Sequence, residues 1–136
     1  MKDQIHLQIV TADGTVYDGN VSYAEIPLEN GGVGILRDHA PMIGAVTDGV
    51  VKARHENGED IVAVGLGVAN VAHNEIILLV RTAERAENID PDRAAASERR
   101  ARERLADKAG GWDMARAEVS LHRALARQKA VQMLKK

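Results

Sequence analysis

The sequence predicts a β-plus-α protein: an N-terminal β-sandwich, or flattened barrel, of short antiparallel strands followed by a C-terminal antiparallel two-helix hairpin. Three observations carry that expectation. Up to about residue 87, apolar residues come in short alternating runs cut by glycine-containing turns. After Asp90 the chain becomes rich in Ala, Arg and Glu at helical spacing. The charge also changes sign: residues 1–88 carry six Lys and Arg against thirteen Asp and Glu (net −7), residues 89–136 twelve against seven (net +5), which together give −2. Two readings of this polarity stay open, exposed helices that simply favour Arg and Glu, and a basic arm that meets an acidic partner.

Composition sets the bounds. A chain of 136 residues holds one medium core, or a small β domain with an appendage. With no Phe, one Trp and two Tyr, its core must be built from Val, Ile, Leu and Ala. The absence of Cys excludes disulfide staples and thiolate metal sites and suits a reducing compartment. No apolar run approaches the ~18 residues of a membrane span. The opening MKDQIHLQIV alternates and carries charge, unlike a signal peptide, and it lacks the Arg/Ser-rich look of a transit peptide. A soluble chain that works where it is made is expected.

In chain order, Ile5, Leu7 and Ile9 alternate as in a half-buried strand. Further strands are expected at Ala24 to Leu28, Val33 to Leu36, Met42 to Val46, Val50 to Ala53, Ile61 to Leu66, Val68 to Ala72 and Ile76 to Val80. Turn signals part them at Asp13-Gly14, Asp18-Gly19, Asn30-Gly31-Gly32, Asp48-Gly49, Asn57-Gly58 and His73-Asn74. Many short strands with close-set turns and no helix between them argue for a sandwich or barrel.

Sharper motifs in this half dissolve on inspection. Gly65-Leu66-Gly67 is followed by no helix start, so it reads as glycines easing a tight sheet and not as a dinucleotide loop. The segment Gly31 to Gly34 lacks the Gly-Lys-Ser/Thr of a P-loop. The histidines at 6, 39, 55, 73 and 122 form no i,i+4 pair and no ligand-spaced cluster with carboxylates, so no metal site is expected. Asp38 and His39 resemble a proton relay, but no activated nucleophile accompanies them. A surface or interface histidine is the expected reading.

Thr82 to Ala94 joins the two halves as a hinge. Asp90 suits an N-cap, Pro91 the first helical position and Asp92 the positive end of the helix dipole. The first helix is expected from Pro91 to about Ala109, closed by Gly110-Gly111, and the second from an Asp113 cap to about Leu134. So short a turn makes the pair antiparallel. The expected seam is Ala94, Ala101, Leu105 and Ala109 against Met114, Ala117, Leu121, Ala124, Leu125 and Gln128. Its large apolar members each add roughly 1.5–3 kcal/mol when fully buried, against ~1–2 kcal/mol per ordered residue. Alone, the hairpin should be marginal.

Four arginines stand out within it. Glu98/Arg102 and Arg99/Glu103 have i,i+4 spacing, whereas Arg123 and Arg127 have no acid three or four residues away in the chain. Arg93 and Arg100 share a face of the first helix, and folding about 111–112 brings Arg100 level with Arg123 and Arg93 near Arg127. Four converging guanidiniums call for a polyanion, and Arg suits forked phosphate contacts. Spacing equally permits all four to point to solvent.

The residues resemble the epsilon subunits of the bacterial and plastid F-type rotary ATP synthases. Gly32-Val33-Gly34-Ile35-Leu36 followed by His39-Ala40-Pro41 is similar to that family's loop, and Thr82 to Glu87 leading to Ile89-Asp90 to its domain junction. The likeness implies a β-sandwich domain at 1–87 binding gamma and the c ring, and a regulatory hairpin at 88–136. It implies a non-catalytic rotor subunit, peripheral on the cytoplasmic face of the bacterial inner membrane or the stromal face of the thylakoid, without nucleic-acid partners. Its arm would lie folded, or extend into the alpha/beta hexamer and restrain hydrolysis. No cofactor is required, with ATP as a regulatory ligand. The family's Ile/Leu-Asp-x-x-Arg-Ala motif is matched by Ile89, Asp90, Arg93 and Ala94, with Glu84, Arg100, Arg123 and Arg127 at the accompanying positions. By resemblance Glu84, Ile89 and Asp90 sit around the adenine, Ala94 packs nearby, and the arginines hold phosphate and ribose. Gly32, Arg37, Asp38 and His39 are the implied ring contacts. Here Gly32 replaces an often acidic residue, and Arg37-Asp38 a usual Pro-Gly. A free-standing ATP sensor is the alternative function; a small hydrolase using Asp38 and His39 is a third.

Overall fold

The computed structural model describes residues 4–107, 110–111 and 113–134. Ten strands run through the first 85 residues: β1 (Ile5–Thr11), β2 (Gly14–Val21), β3 (Tyr23–Leu28), β4 (Gly31–Ile35), β5 (Met42–Val46), β6 (Gly49–His55), β7 (Gly58–Val64), β8 (Gly67–Ala72), β9 (Glu75–Val80) and β10 (Ala83–Arg85). They form one curled sheet in the order β10-β7-β6-β3-β5-β8-β9-β1-β2, with β4 on β3. Pairing is antiparallel except for β1 and β9, which run parallel with Leu7 opposite Ile76 and Ile9 opposite Leu78. The alternation read from sequence is the reason for the core: Ile5, Leu7, Ile9, Ile26, Ile35, Ile76 and Leu78 point inward and are fully enclosed.

The two ends of the sheet meet through polar side chains. On β2, the Tyr17 hydroxyl donates to Asp60 of β7 at 2.6 Å, and the Arg85 guanidinium of β10 lies 4.9 Å over the Tyr17 ring. Burial first, and the Asp60 hydrogen bond second, push the Tyr17 phenol well above its ordinary pKa. The curl folds the sheet into the flattened barrel that the sequence predicts.

A 3-10 turn at Ala86–Asn88 leads into α1 (Pro91–Ala106), and α2 (Met114–Leu134) returns beside it. Asp90 caps α1 as expected, accepting from the backbone N–H groups of Asp92 at 2.9 Å and Arg93 at 3.3 Å. Asp113 does the same for α2, accepting from the Arg116 N–H at 3.1 Å. The first helix ends at Ala106 with Asp107 as its cap, short of the expected Ala109; Ala109 itself and Trp112 of the turn lie outside the described residues. The hairpin rests on β6 and β7 through a small apolar patch of Val50, Ile61, Ala63, Ala86, Ile89, Ala94, Ala130 and Val131.

Several expectations are corrected. Asp18-Gly19, read as a turn, lies within β2. There the Asp18 carboxylate engages His6 and accepts from Gln8 across the strand pair, and Gly19 lies beneath the Tyr17 ring. The hydrogen bond from His6 and then that from Gln8 lower the Asp18 pKa. The hinge is not all connector, since Ala83–Arg85 pairs with β7. Leu125, placed in the helix seam, is 38% exposed, and the buried positions of α2 are Ala117, Ala124, Ala126, Ala130 and Val131. The Gly65 and Gly67 reading stands: a Cβ on Gly67 would strike the backbone of Leu79 and Val80.

Candidate functional site

Two regions gather the residues singled out from sequence. The first is a cleft of about 430 Å³ between the arm and the sandwich, walled by Ala63 and Val64 of β7, Thr82, Ala83 and Glu84 of the junction, and Arg123, Ala126 and Arg127 of α2. Arg123, Ala126 and Arg127 recur at i, i+3 and i+4 and so share one face of the helix. β10 pairing on β7 sets Glu84 opposite them. Arg127 donates through Nε to Glu84 Oε1 at 2.9 Å and through its terminal nitrogen to Oε2 at 3.3 Å, a forked pair that is half-buried. Arg123 forms no ion pair among the described residues. The cleft therefore carries one uncompensated cation beside a compensated one, over an alanine floor.

The other predicted members are distributed differently. Ile89 and Ala94 are buried in the arm-docking patch, which shares Ala63 with the cleft wall. Asp90 has its carboxylate engaged as the α1 cap. Arg93 and Arg100 are exposed on α1 outside the cleft walls, and Arg100 donates to Ser97 Oγ at 3.2 Å. Of the four arginines, Arg123 and Arg127 line the cleft. The cleft lies between α2 and the sheet, and across the helix pair Gln128 of α2 donates to Glu98 of α1 at 2.6 Å. Hydrogen bonds from Arg102 and then Gln128 hold the Glu98 carboxyl below its usual pKa. Thr82, Ala83, Val64, Ala63 and Ala126 were missed. Thr82 and Ala83 adjoin Glu84 in sequence, but no local signal marks a wall supplied by β7.

The second region is the loop after β4. Gly32 sits on β4 opposite Pro27, away from the loop tip. Leu36 is 59% exposed, Arg37 and Asp38 are exposed, and His39 is half-buried with Nδ1 2.7 Å from the Ala40 carbonyl. Asp38 pairs with Asn74, so the two candidate relay residues engage different partners. Among the described residues no three His, Asp or Glu side chains group as metal ligands, and no helix is long and apolar enough to cross a membrane.

Comparison with known proteins decides the lineage. Residues 4–86 match the family described as the ATP synthase delta/epsilon chain beta-sandwich domain, and residues 87–132 match its long alpha-helix domain. The chain belongs to the F-type ATP synthase epsilon subunits. Curated epsilon chains agree. That of Bacillus licheniformis is 37% identical over 123 residues, covering 90% of this chain and 94% of its own. That of Moorella thermoacetica is 39% identical over 127 residues, covering 93% and 95%. A subunit chain of the Euglena gracilis mitochondrial ATP synthase, solved with OSCP, F1 and c-ring, superposes with TM-score 0.79 at 22% identity over 94% of this chain and 81% of its own. At that identity the likeness shows that this epsilon subunit shares its fold.

Proposed function

We propose that this epsilon subunit is a non-catalytic part of the rotating central stalk, and that its helical arm senses ATP and, when extended, restrains hydrolysis by the alpha/beta hexamer. The observation that carries the sensing role is the composite cleft: Glu84 comes from the sandwich side, Arg123 and Arg127 from the arm. A ligand held there bridges both modules and exists only with the arm folded. Nucleotide at ~100 times its dissociation constant would add about 2.7 kcal/mol to that state by mass action. Phosphate contact rests first on Arg123 and Arg127, with Arg93 and Arg100 supplying basic surface on α1; Ile89 and Ala94 shape the neighbouring wall.

The sandwich supports the stalk role. Ile43 of β5, Val68 of β8 and Ile77 and Leu79 of β9 lie on its outer face, with Ile43 75% and Leu79 57% exposed. Val68 pairs directly with Leu79, and Asn70 bridges Ile43 and Ile77, so they form one apolar strip. Such a strip suits a protein partner, here gamma. On this reading the neighbouring Leu36 to His39 loop would contact the c ring, with the subunit peripheral on the cytoplasmic face of the bacterial membrane or the stromal face of the thylakoid. The arm's positive charge gives it acidic surfaces to meet on the hexamer.

Calorimetry of ATP binding to the isolated subunit tests the cleft. Arg123→Ala and Arg127→Ala should each weaken binding about tenfold or more, as expected for a lost charge-assisted hydrogen bond. Titrations equal to wild type would remove both residues from the site. Truncation after Asp90 should leave the complex assembled and raise its ATPase rate; unchanged hydrolysis would count against the restraining arm.

A further inference from the structure

We propose that Asn74 is a positioning residue for rotor coupling: its carboxamide holds the Leu36 to His39 loop in the shape in which that loop meets the c ring. The proposal rests on the reading that this loop is the ring contact. It arises from a reciprocal pair between elements far apart in sequence. The Asp38 backbone N–H donates to Asn74 Oδ1 at 2.6 Å, and Asn74 Nδ2 donates to Asp38 Oδ1 at 3.3 Å. Among the described residues this is the side-chain tie from the loop to another element; the loop's other interactions, His39 N–H to Leu36 O, His39 Nδ1 to Ala40 O and the Arg37–Asp38 ion pair at 4.0 Å, are internal.

Both partners have left-handed backbones, with φ 66° at Asp38 and 60° at Asn74, and His73 adds φ 52° to complete the two-residue turn between β8 and β9. Asp and Asn tolerate that region better than other residues with a β-carbon. At Asp38 the side chain has a use of its own: it supplies one acceptor of the clamp. The clamp is itself anchored, since Asn74 O accepts the N–H of His6 at 3.0 Å, next to the buried Ile5 and Leu7 of β1. Rigidity passes from a core strand through the turn to the loop. A two-point clamp of this kind fixes orientation as well as distance, and it leaves Leu36 and Arg37 facing outward.

Asn74→Gly separates the clamp from the turn, because glycine keeps the left-handed backbone and loses the carboxamide. Full-length variants are titrated onto the gamma and c-ring rotor assembly, with affinity as readout. Asn74→Gly should bind about tenfold more weakly, the scale of one charge-assisted hydrogen bond lost. Asp38→Gly should do the same, and the double variant should add less than about twofold, the mark of residues acting through one another. The exchange of Asp38→Asn with Asn74→Asp keeps a donor facing a carboxylate and should recover binding. It also settles the matter if Asn74→Gly fails to fold. Arg37→Ala and His39→Ala serve as direct-contact controls. If both bind like wild type, the ring-contact reading falls and this proposal with it. If they bind weakly while Asn74→Gly binds like wild type, or if the exchange pair stays as weak as Asn74→Asp alone, the reading stands and the positioning role is overturned. Multiplying fold-changes in the double variant would overturn it as well.

Discussion

The sandwich core and the arm-docking patch bury side chains of different kinds. The core is dominated by Ile, Leu and Val contributed by strands from one end of the sheet to the other, including Ile5, Leu7, Ile26, Ile35 and Leu78. The patch under the hairpin is half alanine, with Ala63, Ala86, Ala94 and Ala130 beside Val50, Ile61, Ile89 and Val131. A methyl group removes little area from water, and area sets the hydrophobic contribution at roughly 25 cal/mol per Å². Residue for residue, the patch therefore contributes less hydrophobic stabilisation than the core. Ion and hydrogen-bond links such as Arg127 to Glu84 add direction to the weaker contact without making it permanent.

The largest expected departure comes from the core. Leu78→Ala, at a fully enclosed site, should lower stability by about 3 kcal/mol, read as a shift of the main denaturant transition. A loss under 1 kcal/mol would erase the contrast. Next, Ala130→Glu places a carboxylate in the patch, where Ala130 is fully buried. The expected response is undocking of the arm, at a cost of about 1–3 kcal/mol, seen as faster hydrogen exchange along α2 with the β-strands still protected. Exchange rising equally in β1 and β9 would show that the two regions are one cooperative unit.

The smallest effect is electrostatic and lies inside the arm. The folded Glu98 pKa is depressed, so its contribution is present above the unfolded carboxylate value near ~4.3 and is lost as pH falls through the folded value. Acidification should loosen α1 from α2. Glu98→Gln should remove that part of the pH dependence, as monitored by helical circular dichroism; an unaltered acid limb would show that the seam does not depend on this carboxylate.

Local chemistry was legible wherever the chain itself supplied the partner. Alternation placed β5 over Met42–Val46, the two-residue turn at His73-Asn74 and the Asp90-Pro91 helix start are where the sequence puts them, and the glycines at 65 and 67 ease a crowded sheet. Errors arose where a distant residue reverses the local signal. Asp18-Gly19 reads as a turn until His6 and Gln8 take the carboxylate and Tyr17 covers the glycine. Ala83–Arg85 is too short for periodicity, and only the free edge of β7 makes it a strand.

The site divides in the same way. The sequence by itself determined that Arg123 and Arg127 lack a local acid, since i,i+3 and i,i+4 neighbours are fixed by helix geometry alone. It also determined the capped start of the arm and the change of charge across the junction. Folding in three dimensions settles that Glu84 neutralises Arg127, that Arg123 has no acid partner among the described residues, and that both line one cleft. The physical reason is register: which helix face meets which strand depends on how the alanine patch packs and where Gln128 finds Glu98. Those contacts join residues thirty or more positions apart, beyond the reach of spacing along one element.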